Sequence, residues 1–381
     1  MKLFFNTPLL LLAIIICHSP ASVAKDFSSS VIHQPTLLEP KHVAVVYNQN
    51  DPDSTEVARY YIQARQIPQK NLIPVKLPVK GGGNVGPAEI NPLKASIDAQ
   101  LTDEMQVMVL MWKTPFAVRC NSITSALTLG FDEKQCENGC STGKPSPYFN
   151  SSSRMPYRDH KIRPSMLLPT DDVAAAKALI DRGVLAGFNL SEATGYFLRT
   201  SDTARSRPRE RFFPPDFSTV TSRKLRLRSP KTDFIRDKKD IMFYLTGQAE
   251  VKHLETLNFL PGAIADHLTS GGGGLGDYKA GSQMPISEWL KAGATGSYGT
   301  VSEPCNHWQK FPNPQVLISH YLAGETLIEA YWKSVAWPAQ GLFIGEPLAA
   351  PYQRINLNPN PILPDVEKNA PSSSSDHESS L

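Results

Sequence analysis

Apolar runs recur along the chain, and the polar spacing between them switches between strand and helix periods. His42–Tyr47 (H-V-A-V-V-Y) predicts a buried strand. After the polar turn Asn48–Asp53, Val57, Tyr61 and Ala64 line one face of a helix near Ser54–Gln66, with Asp53 and Glu56 as its capping box. Leu72–Leu77 predicts a second strand. Ile90, Leu93, Ile97 and Leu101 mark a second helix, and Val107–Trp112 a third strand. This β-α-β-α-β order predicts a doubly wound α/β layout. Farther along, a helix is expected over Asp171–Arg182 with Val173, Ala176 and Ile180 inward, and strands over Ala193–Thr200 and Asp240–Thr246. Gln315–Leu322 and Thr326–Val335 have amphipathic helical spacing, and Leu342–Pro347 closes the pattern.

The rest of the chain is organised around Leu257–Cys305. Two runs of small and apolar residues, Gly262–Leu268 and Gly293–Val301, flank a helical piece near Ile286–Lys291, which is a parallel βαβ pattern. Their small residues let backbones approach closely. Polar side chains collect at the run exits: Asp266, His267, Ser270, Ser302, Glu303, Cys305 and His307. In a parallel sheet, sites form beyond the carboxyl ends of the strands, so the pattern says where chemistry should lie.

Composition narrows the compartment more than the activity. The 381 residues are 41% hydrophobic and 20% charged, which suits globular α/β structure. The 32 prolines and 24 glycines imply many ordered loops. Residues 1–24 have a secretory leader's layout: Lys2, the apolar core Leu9–Ile16, then Ser22-Val23-Ala24 before Lys25. Cleavage removes Lys2 alone, taking the net charge from +3 to +2, so bulk charge selects no partner. The core is too short to span a bilayer. The expected mature protein is exported, periplasmic or extracellular, with no stable membrane insertion. Residues 25–40 read as an extended arm, 41–355 as one α/β domain, and 356–381 as a Ser-rich disordered tail.

Without Cys17 of the leader, Cys120, Cys136, Cys140 and Cys305 remain, and an oxidising compartment favours two disulfides. Cys136-Glu-Asn-Gly-Cys140 is able to close on itself, which would leave Cys120 with Cys305. The rival readings are a four-thiolate metal site and a catalytic Cys305.

Two long insertions stand out. Residues 114–164 hold three of these cysteines and form a functional loop layer or a stapled flap. Residues 203–232 form a basic loop, with eight Lys/Arg against two acids between Arg205 and Arg228. Such a run is either an anionic-ligand surface or a solvated loop. Bare charge patterning is a weak signal, so the solvated loop is favoured, and no nucleic-acid partner is expected. Asn48-Gln49-Asn50-Asp51 follows the first strand where a dinucleotide fingerprint needs glycines, so no nicotinamide or flavin cofactor is expected. Gly81-Gly82-Gly83 lacks the Lys and Ser/Thr of a phosphate loop.

Three pieces carry a specific resemblance: H-V-A-V-V-Y-N-Q-N-D-P-D-S with Arg65-Gln66-Ile67-Pro68, then F-L-P-G-A-I-A-D-H-L-T-S, then G-A-T-G-S-Y-G-T-V-S-E-P-C with G-E-P-L-A-A-P-Y. The chain resembles a family of exported bacterial proteins found in genomes that carry the exosortase protein-sorting system. That likeness spans nearly all of residues 40–355 and implies an association with envelope sorting, without a reaction. A more distant resemblance is to gingipain-type cysteine peptidases with a caspase-like core. Phe243–Gln248 is similar to their Gly-His-Gly strand, with Gln248 where the His belongs. Leu260–Ser270 is similar to their nucleophile strand, with Asp266 and His267 in the Cys region. Gly293-Ala294 and Gly345-Glu346-Pro347 match the last two pieces. That register implies a relative without the catalytic pair.

The expected fold is therefore α/β, a mostly parallel sheet flanked by helices, a caspase/gingipain-like sandwich with long loop insertions. Two functions compete. One is an exported accessory protein of cell-envelope or extracellular protein sorting, or of polysaccharide biogenesis, binding a peptide or glycan of the envelope near Ser270, Gly271, Glu303 and His307. The other is a cysteine peptidase in which His267 deprotonates Cys305, with Asp266 or Glu303 as the third member. Gly271–Gly274 reads as a lid or as a turn needing positive φ. Ser270 and Ser302 lack a Gly-x-Ser-x-Gly elbow. Asp266, His267, Glu303 and His307 lack tight ligand spacing, so no metal is expected. Tyr298, Trp289 and Trp308 line a cleft or pack the core.

Overall fold

The apolar runs pair into a sheet of 11 strands among the residues described by the computed structural model, which are 37–79, 81–187, 192–218, 224–275, 281 and 283–353. The expected leader, nearly all of the arm and the tail lie outside the described residues. In chain order the strands are β1 (Val43–Asn48), β2 (Leu72–Val75), β3 (Val107–Met111), β4 (Ser165–Leu168), β5 (Glu192–Phe197), β6 (Phe217–Ser218), β7 (Lys224–Arg228), β8 (Ile241–Thr246), β9 (Phe259–His267), β10 (Gly296–Thr300) and β11 (Gly341–Gly345). Their spatial order is β2-β1-β3-β4-β11-β10-β9-β8-β5-β7-β6.

All neighbours are parallel except two pairs, β10 with β11 and β7 with the two-residue β6. The β10–β11 pair divides the sheet. Strands β2, β1, β3, β4 and β11 run one way, while β10, β9, β8, β5 and β7 run the other. The two sets of carboxyl ends therefore lie at opposite edges of the sheet. Phe343 of β11 fixes this seam, with its ring 4.9 Å from Tyr298 of β10 and 4.4 Å from Trp332. Strands β3, β4, β8, β10 and β11 are buried at every position, which requires helices on both faces. The chain is thus α/β with a mostly parallel, helix-flanked sheet.

The helices that matter below are α1 (Pro52–Arg65), α2 (Pro87–Asp98), α3 (Ile123–Leu129), α4 (Val173–Val184), α5 (Thr203–Glu210), α6 (Ser287–Lys291), α7 (Pro314–Leu322) and α8 (Leu327–Ser334). Helix α1 starts earlier than the Asp53/Glu56 reading placed it. Asp51 is the cap, accepting the Asp53 N–H, and Pro52 occupies the first turn where a missing N–H is harmless. Helix α8 has the polar face its spacing implies, yet all eight residues are buried, and Glu329 and Lys333 are tolerated there because they pair with Arg154 and Glu325.

The two insertions are more regular than loops. Residues 114–164 contain α3, whose Ile123, Ala126 and Leu127 enter the core, so this segment is a stapled layer and not a flap. The basic stretch 203–232 begins as α5, because the Asp202 side chain accepts the Arg205 N–H at its start.

Candidate functional site

Both expected disulfides form, with a pairing the sequence reading did not choose. Cys120 joins Cys136 across 16 residues, and Cys140 joins Cys305 across 165. Neither Cys136–Cys140 nor Cys120–Cys305 occurs. The Cys305 thiol is consumed, so it is no free nucleophile, and the four-thiolate metal reading falls with it. The rest of the Cys305 loop is knitted to the Cys140 loop. His307 Nε2 lies 3.0 Å from the Cys140 carbonyl, and Lys310 Nζ donates to the Gly139 carbonyl. Glu303 accepts the Cys305 N–H at 2.7 Å, while its own carbonyl accepts from Gln340.

His267 does not meet Cys305. Trp289 Nε1, which can only donate, lies 2.9 Å from His267 Nδ1, so Nδ1 accepts. The proton is then on Nε2, which donates to the Met284 carbonyl at 2.9 Å. Both ring nitrogens are engaged and the side chain is buried. Burial, more than the nearby Arg209 and Arg205 charges, lowers the His267 pKa to about 4. This imidazole is a neutral structural group.

Asp266 does not orient His267 either. Successive side chains of a strand point to opposite faces, and these two residues end β9. Asp266 instead forms an ion pair with Arg209 of α5, both side chains 1% exposed, and Arg209 also donates to the Thr246 carbonyl at 2.8 Å. Burial pushes the Asp266 carboxyl up while Arg209 pulls it down.

The backbones of Ser270 and Gly271 are framework as well. Thr300 Oγ1 donates to the Ser270 carbonyl at 3.0 Å, and the Gly271 N–H donates to Gln283 Oε1 at 2.7 Å. The glycine run is neither a lid nor a positive-φ turn. Its Gly273 N–H donates to the Thr300 carbonyl at 2.9 Å, and a Cβ there would sit 2.7 Å from the Gly299 oxygen. The glycines permit backbone-to-backbone packing. Among the described residues, no three His, Cys, Asp or Glu side chains gather to hold a metal ion.

What is open at these carboxyl ends lies between α5 and the segment after Cys305. Arginines at 205, 207, 209 and 211 alternate in sequence, and the helix sorts them into two pairs by its period of 3.6. Arg205 and Arg209 turn inward. Arg205 Nε donates to Thr269 Oγ1 at 3.1 Å, and Arg209 holds Asp266. Arg207 and Arg211 share the exposed face with Thr203 and wall a groove of about 460 Å³. Asn306 and Trp308 form its other side.

Trp308 is supported from behind. The Phe212 ring lies 5.0 Å from it and the Phe149 ring 6.4 Å. The Arg211 guanidinium sits 4.7 Å from Phe212 and 5.8 Å from Trp308, a cation–π arrangement. No described residue forms an ion pair or hydrogen bond with the Arg207 guanidinium. Two uncommitted or aromatic-held guanidinium groups facing an indole make a surface for an anion with a flat apolar side. Trp308 and the basic run lie about a hundred residues apart in sequence, and only the fold unites them; the Arg207/Arg211 spacing followed by Phe212 is the local signal for this face.

No protein-family model matches the chain, and no curated protein does. Among solved structures, the chain is similar to the Arg-specific cysteine proteinase gingipain R, with 8% sequence identity and a TM-score of 0.40. The match covers 84% of this chain and 80% of that one.

Proposed function

We propose that this chain is an exported accessory protein of cell-envelope or extracellular protein sorting, or of polysaccharide biogenesis. It acts by holding an acidic glycan strand and not by cleaving peptides. The observation that carries this reading is the groove, where the outward arginines of α5 face Trp308. A carboxylated or phosphorylated sugar offers both matching parts, an anion for the guanidinium fork and an apolar ring face for the indole. The leader-like N-terminus, the two disulfides and the resemblance to an exosortase-associated family support the envelope setting. Against peptidase chemistry stand the bonded sulfur of Cys305 and the fully engaged ring of His267.

The test is titration with an oligogalacturonate, followed by tryptophan fluorescence, with a neutral maltooligosaccharide as control. The acidic oligomer is expected to bind and to weaken as salt rises. Arg207→Glu and Arg211→Glu should each lower affinity by at least about tenfold, and Trp308→Ala should remove the fluorescence change. Equal binding of the two sugars, or indifference to the arginine variants, overturns the reading.

A further inference from the structure

The opposite edge of the sheet carries a cavity that the proposed groove does not use. At the carboxyl ends of β2, β1 and β3, a cavity of about 640 Å³ opens between the strand exits and α2. Its lining includes Gln49, which follows β1, Leu77, which follows β2, and Pro115, which follows β3. Strand order β2-β1-β3 places the topological switch, where open α/β sheets form ligand crevices, between β1 and β3, and the exits of those two strands supply Gln49 and Pro115 to one side of this cavity. The volume falls within the roughly 300–1,000 Å³ of small-molecule sites.

The chemistry of the walls is lopsided. Val75, Leu77, Ile90, Leu93 and Pro115 are buried apolar side chains of the interior. The polar groups sit at the mouth. Glu89 is committed, its Oε2 accepting the Gly86 N–H at 2.8 Å. Lys76 and Gln49 are exposed, and no described residue hydrogen-bonds or pairs with either side chain. Gln49 also borders a second depression of about 430 Å³ whose far side holds the exposed Arg59. Glu56 in that depression is already paired with Lys177 at 2.6 Å. The uncommitted charge around the mouth is positive.

The occupant is not an added β-strand. Edge strand β2 would present the backbone of Leu72 and Pro74 to a newcomer, because Val75 faces β1 and its carbonyl accepts the Gln49 N–H at 2.9 Å. Pro74 has no N–H to offer, so the edge is blunted.

We propose that this cavity is a second binding site, for a small amphiphile whose apolar chain enters between β2 and α2 and whose acidic head rests at Lys76. The site is independent of the glycan groove and stands if that reading fails.

Calorimetric titration of the full chain with decanoate below its micelle concentration tests the proposal, with butyrate and decanol as comparisons. Decanoate should bind with a negative heat-capacity change, and butyrate at least about tenfold more weakly, because apolar burial carries the affinity. Ser96→Trp, an exposed α2 position on the cavity wall, should abolish binding of decanoate and decanol while leaving the unfolding temperature unchanged. Lys76→Glu should weaken decanoate about tenfold and leave decanol unaffected. Arg207→Glu should change neither. Binding that ignores chain length, or that survives both the Ser96→Trp and Lys76→Glu variants, overturns the proposal.

Discussion

Asp266 and His267 are consecutive residues of β9 and serve opposite faces of the sheet. The carboxylate meets Arg209 of α5, and the imidazole meets Trp289 of α6. A pair that reads in sequence as a base with its orienter is, in the fold, two separate anchors. One fixes the helix that walls the groove, and the other fixes the crossover between β9 and β10.

The Arg209–Asp266 pair is expected to be costly to break from either side. Arg209→Met strands a buried carboxylate, Asp266→Leu strands a buried guanidinium, and each should lose about 3–5 kcal/mol. The double variant should lose much less than the sum. Denaturant unfolding of the four proteins measures this coupling, and simple additivity would remove the pair from the account.

His267 gives the protein an acid-sensitive core. Its pKa is about 4 in the folded chain against an ordinary 6.5, so on acidification the unfolded chain takes the proton first. The stabilising contribution is complete above pH 6.5 and is lost as the pH falls toward 4, on the order of 3 kcal/mol. The raised Asp266 carboxyl works in the opposite sense, holding its proton more tightly when folded. Comparing wild type with His267→Gln between pH 7 and 4 isolates the imidazole, and identical slopes would contradict its buried neutral state.

The disulfides decide the peptidase question directly. Alkylation of the native protein should label none of Cys120, Cys136, Cys140 and Cys305, and peptide mapping should recover Cys120–Cys136 and Cys140–Cys305. Replacing Cys140 and Cys305 by Ser should lower stability by about 2–5 kcal/mol, the range for closing long loops. Ready labelling of native Cys305, slowed by His267→Ala, would instead restore the dyad.

The alternating first third of the chain was legible because local spacing carries it. Strands β1, β2 and β3 and helices α1 and α2 follow from apolar runs and their 3.6-residue faces. The seam was not legible, because the antiparallel pairing of β10 with β11 joins residues 41 to 49 positions apart and leaves no local period. Strand β4 was missed: Ser165–Leu168 is too short to alternate and follows a basic run. Helix α5 was missed for a different reason. Its inward face is Arg205 and Arg209, so charge hid a helix that hydrophobic periodicity could not reveal. The exits of Gly262–Leu268 and Gly293–Val301 were placed correctly as strand ends. The side chains of Asp266, His267, Ser302, Cys305 and His307 are framework, because each meets a partner that only the tertiary fold supplies.

The reversal of strand direction at β10–β11 has a consequence for how such a molecule is used. A wholly parallel sheet has one front and one back. This sheet has two fronts set back to back, one at α5 and Trp308 and one at Gln49 and Lys76, with the buried strands as a stiff spacer. A ligand at one front would therefore approach from the side opposite to a ligand at the other, with the full length of the buried strands between them.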